Sequence, residues 1–293
     1  MANLKEVRTR ITSVSSTQQI TKAMKLVSAT KLRKAQNAIM QMRPYALKLN
    51  GILANLSDSM DVDSLNVYFS KREVKNVLLV VISSDRGLCG SFNSNIIKKA
   101  SALVLEKYAG KNVTILPIGK KGSEFFTKQQ KIKVTVQTNF RDTFLQLNAN
   151  TGFELGQYLL DAYESGKYDV IEIIYNQFKN AATQILTNDQ FLPINTQSIK
   201  GEQKSKNDYL FEPSKAEILE DLIPRILKTQ VYRSLLDSSA SEHGARMVAM
   251  DKATDNAGEL LKALKIEYNR VRQAAITTEI SEIVGGAAAL SSN

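Results

Sequence analysis

Residues 208–289 read DYLFEPSKAEILEDLIPRILKTQVYRSLLDSSASEHGARMVAMDKATDNAGELLKALKIEYNRVRQAAITTEISEIVGGAAA, with Pro213 and Pro224 as their only prolines. An uninterrupted α-helix over this stretch would reach roughly 120 Å at 1.5 Å per residue. That is several times the diameter of a small domain, so no single globular core covers it. Residues 3–57 add a second helical stretch of about 80 Å by the same rise. Two such rods at opposite ends of one chain bury their apolar stripes most readily against each other, as a coiled coil. The span between them reads as a compact α/β domain. The sequence therefore divides into an N-terminal coiled-coil helix (1–57), an α/β domain (71–195) and a C-terminal coiled-coil helix (208–290).

The seam of the first helix is legible in part. Leu4, Val7, Ile11 and Val14 repeat at spacings of three and four, and the frame resumes at Leu32, Ala35, Ile39, Met42, Ala46, Leu49, Leu53 and Leu56. Between these runs the frame meets Gln18, Thr21, Lys25 and Ser28, which are polar, while Ile20, Met24 and Val27 lie on another face. This predicts a coiled coil that turns its apolar stripe away from the partner helix there, toward something else. Pro44 lacks a backbone donor and is expected to bend or interrupt the rod.

The C-terminal helix varies in the same way. Leu219, Leu222 and Ile226, flanked by Ile218, Ile223 and Leu227, make a broad apolar face. Ser238–Ala245 has almost no bulky apolar residue, which suits either close helix approach or a slim rod in a tight sleeve. Ala257, Leu261, Leu264, Tyr268, Val271 and Ala275 restore the spacing, and the stripe then shifts by one residue to Ile276, Ile280, Ile283, Ala287 and Leu290. The first helix has run out by that point, so the tip is expected to bury its stripe against a different protein.

In the middle, Val74–Ile82 is an apolar, β-branched-rich run of the kind buried on both faces of a sheet. Further strands are expected at Val113–Ile118, Lys133–Thr138, Val170–Phe178 and Thr183–Pro193. Helices are expected at Asn93–Tyr108, Gly122–Gln129 and Thr151–Ser165. The alternation predicts a mostly parallel, Rossmann-like sheet closing with an antiparallel hairpin. The polar run Asn195–Asn207 reads as a loop.

Composition narrows the function. The single cysteine, Cys89, excludes an internal disulfide and a multi-cysteine zinc site, and the single histidine, His243, leaves little for imidazole-based metal chemistry. There is no run of about 18 apolar residues to cross a bilayer, and the first residues lack the apolar core of a secretory signal. Charge is uneven: residues 1–50 hold ten basic side chains and one acidic one, nearly the whole net charge of +10. From Asp208 onward there are ten basic and thirteen acidic residues. Opposite signs favour pairing of the two rods, and the residual positive field attracts an acidic partner.

Asp85-Arg86-Gly87-Leu88-Cys89-Gly90 follows the first strand, where nucleotide-binding folds place a phosphate loop. It has neither the G-x-G-x-x-G nor the G-x-x-x-x-G-K-[ST] spacing, so it reads as a tight turn that docks onto a neighbour. Cys89 reads as a packed thiol and His243 as a solvated or interface side chain. No carboxylate pair or metal-ligand spacing stands out, and no catalytic site or cofactor is expected. The basic first helix suits docking to an acidic protein surface. Nucleic-acid binding is the alternative, with no recognised module and only Tyr45 among early aromatics to support it. A nucleotide-binding enzyme built on the Rossmann-like middle is a third reading.

Four segments together resemble the gamma subunit of the F-type (rotary) ATP synthase. They are Ile11–Val14 with Gln18–Val27 and Lys31–Ala35; Asp85–Gly90; Ala240–Met250 with Ala253–Ala257; and Tyr268–Thr277 with Glu279-Ile280 and Glu282-Ile283. The resemblance implies an antiparallel coiled coil threading a hexamer of three alpha and three beta subunits. It also implies an α/β domain at the membrane end, against the epsilon subunit and the ring of c subunits. Such a shaft turns with proton or sodium flow and biases the beta subunits without bond chemistry of its own. By the same resemblance Lys22, Met24 and Lys25, together with Arg246, Gln273, Thr277 and Glu279, contact the hexamer. Ile276, Ile280, Ile283 and Leu290 sit in an apolar bearing, Asp85, Arg86, Gly87, Cys89 and Gly90 form a docking turn, and Tyr209 touches the c ring. Gly244 stands where many relatives have alanine, and the loop at Asn195–Asn207 lacks the redox-switch cysteines of the chloroplast form. With no transit segment, a bacterial protein is expected, peripheral on the cytoplasmic face of the inner membrane and reaching it only through other subunits.

Overall fold

A computed structural model describes residues 4–57, 67–70, 72–129, 133–194 and 215–291. The elements in chain order are α1 (Leu4–Ser57), β1 (Asn76–Ile82), α2 (Phe92–Leu105), β2 (Asn112–Ile118), α3 (Lys120–Lys128), β3 (Thr135–Val136), α4 (Ala149–Glu164), β4 (Val170–Phe178), β5 (Gln184–Leu192) and α5 (Lys215–Ser291). Two short 3-10 turns, Val67–Phe69 and Thr143–Gln146, have no counterpart in the sequence reading. Helix α1 runs unbroken through Pro44, and α5 runs through Pro224. Of the bend or interruption expected at Pro44, the interruption does not occur. A proline costs a helix one hydrogen bond, and the long flanking segments carry the helix past it.

The chain forms two compact units, one of residues up to Val27 and from Met247 onward, the other of Ser28–Arg246. In the larger unit the sheet order is β3-β2-β1-β4-β5. β1 pairs in parallel with β2 (Val77 with Val113) and with β4 (Val77 with Val170), β2 pairs in parallel with β3, and β5 returns antiparallel to β4 (Ile173 with Asp189). The expected parallel sheet with a closing hairpin is the observed one.

β1 is central, and its alternate side chains feed two cores. Val77, Leu79 and Val81 pack with Ile96 and Ala100 of α2 and Phe126 of α3. Leu78, Val80 and Ile82 face the other way, into Leu155, Leu159 and Tyr163 of α4 and Leu227, Val231 and Leu235 of α5. Each such aliphatic side chain contributes about 1.5–3 kcal/mol when fully buried. Helices α4 and α5 approach closely, because a Cβ at Gly152 would lie 2.6 Å from the Tyr232 ring and one at Gly156 would lie 3.0 Å from Lys228 Cα. A buried carboxylate sits within this fold. Glu172 of β4 accepts from Tyr108 Oη at 2.7 Å and Asn188 Nδ2 at 3.1 Å, and it pairs with Lys107.

In the smaller unit α1 and α5 run antiparallel. Thr21 Oγ1 and Thr254 Oγ1 are 2.8 Å apart, Gln18 Nε2 donates to Thr254 O at 3.5 Å, and Lys25 Nζ reaches Asp251 Oδ1 at 2.5 Å. Val7, Thr21, Ala257 and Leu264 are buried. The polar stretch thus holds the inward frame, and the apolar Ile20 and Val27, expected on another face, are exposed together with Leu26. Matched chemistry allows this: Thr254 and Asp251 supply hydrogen-bonding partners to the polar frame.

Candidate functional site

The turn after β1 is built by the strand ends around it. Ser83 N donates to Ile118 O at 2.8 Å, Ser83 Oγ accepts from Gly122 N at 2.8 Å, and Lys121 N donates to Ser84 O at 3.0 Å. Asp85 Oδ1 accepts from Lys120 N at 3.1 Å, so its carboxylate sits at the start of α3, where the helix dipole favours negative charge. Inside the turn Ser84 Oγ donates to Arg86 O at 2.7 Å, and Asn93 Nδ2 reaches Cys89 Sγ at 3.3 Å. Cys89 is buried, and burial pushes its thiol pKa up, which suits a packed thiol and not a nucleophile.

Helix α5 clamps this turn. Arg246 Nη2 donates to Arg86 O at 2.9 Å and Nε to Gly87 O at 3.3 Å, while Nη2 also pairs with Glu242 Oε1 at 2.7 Å. Arg246 and Glu242 are both buried. Burial raises the Glu242 pKa, and Arg246 opposes that shift. His243 Nδ1 lies 3.3 Å from Arg246 Nη1. Burial, then Arg246 and Lys31, lower the His243 pKa to about 4. His243 is thus half-buried beside the clamp and neutral at pH 7, so of the two readings, solvated or interface, the fully solvated one does not hold.

Among the sequence-derived residues, the structure brings Asp85, Arg86, Gly87, Cys89 and Gly90 together with Arg246 in this one turn. It directs the Arg246 guanidinium inward onto backbone carbonyls. Lys22 is exposed, Met24 half-buried, and Lys25 engaged with Asp251. Gln273, Thr277 and Glu279 are exposed, with Thr277 Oγ1 donating to Gln273 O at 2.9 Å. Ile276, Ile280 and Ile283 are 46%, 55% and 70% exposed. The Leu290 side chain and all of Tyr209 lie outside the described residues. No cluster of His, Cys, Asp or Glu that could hold a metal occurs among the described residues, and no described helix is long and apolar enough to cross a membrane.

Leu88 is the residue that sequence reasoning missed. It stands at the tip of the turn, 64% exposed, with φ of 61°. A non-glycine residue in the left-handed region costs roughly 1–2 kcal/mol, and such outliers concentrate where a chain presents a side chain for use. Nothing in a leucine signals this beforehand.

Two groups on α5, the half-buried His243 and the buried Asp237, give the larger unit a concealed pH response. His243, with its pKa lowered, binds its proton less readily when folded, so its contribution to stability is full above about 6.5 and is lost as the pH falls toward 4. Asp237 has its pKa raised from 3.8 to about 6 by burial, against the pull of Arg233. Its contribution is full below about 3.8 and is lost as the pH rises toward 6. Each shift corresponds to about 3 kcal/mol, and the two have opposite signs over the same window. Relative to the wild-type chain, H243Q should therefore gain stability as the pH falls from about 6 to 4, and D237N should gain it as the pH rises over the same window, when denaturant midpoints are compared. Parallel profiles for all three proteins would refute this.

The sequence model of the ATP synthase family matches residues 3–290. The chain is 55% identical to the ATP synthase gamma chain of Cytophaga hutchinsonii and 56% identical to that of Flavobacterium johnsoniae, with 99% of each chain covered in both alignments. Among solved structures it resembles a chain of the Tetrahymena thermophila mitochondrial ATP synthase central stalk and c-ring, with a TM-score of 0.59 and 28% identity. That match covers 80% of this chain and 99% of the other. A chain of the Euglena gracilis mitochondrial OSCP/F1/c-ring structure shares the fold at a TM-score of 0.65 and 23% identity, covering 98% and 94%.

Proposed function

The chain belongs to the ATP synthase gamma chain family, and we propose on that premise that its exposed surfaces are the bearing and contact faces of a rotor. It is a non-catalytic central-stalk subunit of the complex, working with alpha, beta, epsilon and c subunits. Ion-driven rotation of the ring turns the stalk, and the stalk's unequal faces bias the beta subunits through differential contacts. The single observation that carries the contact assignment is the exposed apolar stripe of α5. Ile276, Ile280 and Ile283 recur at helical spacing on a segment whose residues 272–287 are all exposed. An isolated helix gains nothing by presenting that stripe to water, so it is reserved for a sleeve.

Gln273, Thr277 and Glu279 on the same segment supply polar contacts to the hexamer, and Lys22 with Met24 faces an acidic loop of a beta subunit. Leu290 extends the apolar bearing. Leu88 extends the docking turn of Asp85, Arg86, Gly87, Cys89 and Gly90. Tyr209 is assigned to the ring contact. The protein is peripheral on the cytoplasmic face of the bacterial inner membrane, held there by other subunits.

Co-expression with the matching alpha and beta subunits tests the reading. A complex whose ATPase activity depends on this chain is expected, and that dependence should weaken when Ile276, Ile280 and Ile283 are all changed to aspartate. Assembly and activity indifferent to the chain would end the rotor assignment. Activity indifferent to the three isoleucines would end the bearing assignment alone.

A further inference from the structure

In an open α/β sheet a ligand sits outside the carboxyl ends of the strands, at the point where the strand order reverses. Here the order β3-β2-β1-β4-β5 places that point between β1 and β4. The crevice is filled by the chain's own helix. Ser238 Oγ donates to Ile82 O, the last residue of β1, at 3.5 Å. Ser241 Oγ donates to Asn176 O near the end of β4 at 2.9 Å. Gly244 comes next, and a Cβ there would lie 3.2 Å from Ala181 Cα in the hairpin that leads to β5. Residues three apart share one helix face, so α5 crosses the strand ends in sheet order, and Arg246 then takes the two carbonyls of the turn after β1.

The helix is buried on every side in this stretch, because all residues from Ser234 to Glu242 are buried. Ser83 and Ser84, at the mouth of the crevice, are also fully buried and spend their hydroxyls on one another's surroundings: Ser83 on Ile118 O, Ser84 on Arg86 O. No room is left for a phosphate. The contacts are also angular. A turn of the helix by one residue, about 100°, would carry both hydroxyls and the guanidinium away from their acceptors.

We propose that Ser238, Ser241 and Arg246 are positioning residues that lock α5 into the vacated ligand crevice of the sheet, making helix and sheet one torque-bearing joint. The proposal rests on the rotor reading above. It assigns to the α/β domain a mechanical use of the feature that in nucleotide-binding folds holds the ligand, and it predicts that the joint stays closed throughout a turnover.

The test uses membrane vesicles carrying the whole complex, with ATP hydrolysis read as phosphate release and charge movement read by a potential-sensitive dye, which responds whichever cation moves. An A181C/G244C pair places two cysteines at the close approach of helix and hairpin, where a Cβ at 244 would lie 3.2 Å from Ala181 Cα; Cys89 is buried and stays out of reach of the oxidant. Oxidation of this pair should leave both hydrolysis and potential as they are in the reduced complex. Inhibition on oxidation, relieved by reductant, would show that helix and sheet move against each other and would overturn the proposal. S241L, which wedges the helix off β4, should keep hydrolysis but lose most of the potential formed per ATP. The disulfide should restore it, a rescue that a general loss of folding would not show. Full coupling in S241L also overturns the joint. If S241L does not assemble, the disulfide alone decides. A wild-type complex whose hydrolysis ignores this chain would instead refute the rotor reading itself.

Discussion

Replacing Arg246 by alanine is expected to destabilise the Ser28–Arg246 unit by about 3–5 kcal/mol, the cost of leaving a buried charge without its partner. The pair with Glu242 is 2.7 Å long, and its side chains are 8% and 9% exposed. The same guanidinium holds the carbonyls of Arg86 and Gly87, so its loss strands three acceptors at once. R246K should recover part of the loss, because an ammonium is a point charge that cannot serve a fork of acceptors. E242L/R246M should recover more, since two apolar side chains of similar volume remove both charges together. The R246A defect should also narrow as the pH falls, because Glu242 without Arg246 is stable only when protonated. Denaturant midpoints at pH 5 and pH 8 measure all of this. An R246A midpoint within 1 kcal/mol of wild type would show that the clamp is decorative.

The second large effect is expected at Gly119. Its φ of 92° and ψ of 151° lie in a region that side chains avoid, and a Cβ would fall 2.4 Å from Ser83 O and 2.9 Å from Ser83 C. Both atoms are backbone, at the junction where β1 leaves the sheet, and neither can step aside. G119A should therefore cost about 3 kcal/mol or more, the upper end of backbone strain, and loosen the turn that carries Leu88. Two neighbouring glycines calibrate the result. Gly90 has φ of 61° but open space around it, so G90A should cost about 1 kcal/mol. Gly87 has neither strain nor a near neighbour, and G87A should stay within about 0.5 kcal/mol. Thermal and denaturant unfolding of the three variants should rank them in that order, and equal losses at all three would refute the steric account.

The sheet was legible because its strands are written in runs that only burial on both faces explains. β4 coincides with its expected span, and the β1 run Asn76–Ile82 falls inside the expected one. The two helical ends were legible from the scarcity of prolines together with the apolar spacing. The seam between them was legible only where it is apolar. A polar residue in a heptad frame reads as an interruption, and only the opposite helix, with Thr254 facing Thr21 and Asp251 facing Lys25, shows it to be a continuation. The short-side-chain stretch around Ser241 raised the right question, close approach or loose sleeve. Its answer required a contact to Asn176, 65 residues earlier in the chain. Leu88 was invisible for a different reason: backbone conformation there is imposed by the surrounding clamp and not by the residue.

The antiparallel pairing of the two ends also sets an order on synthesis. Lys25 and its partner Asp251 are separated by 226 residues, and a chain emerging at about 5–20 residues per second keeps the first waiting for roughly 10–45 seconds before the second exists. Throughout that interval the basic amino-terminal segment has no acidic mate and must stay soluble by its own charge. Closing the two ends on each other therefore waits until the carboxyl-terminal helix has been made, long after the sequence of the sheet is complete.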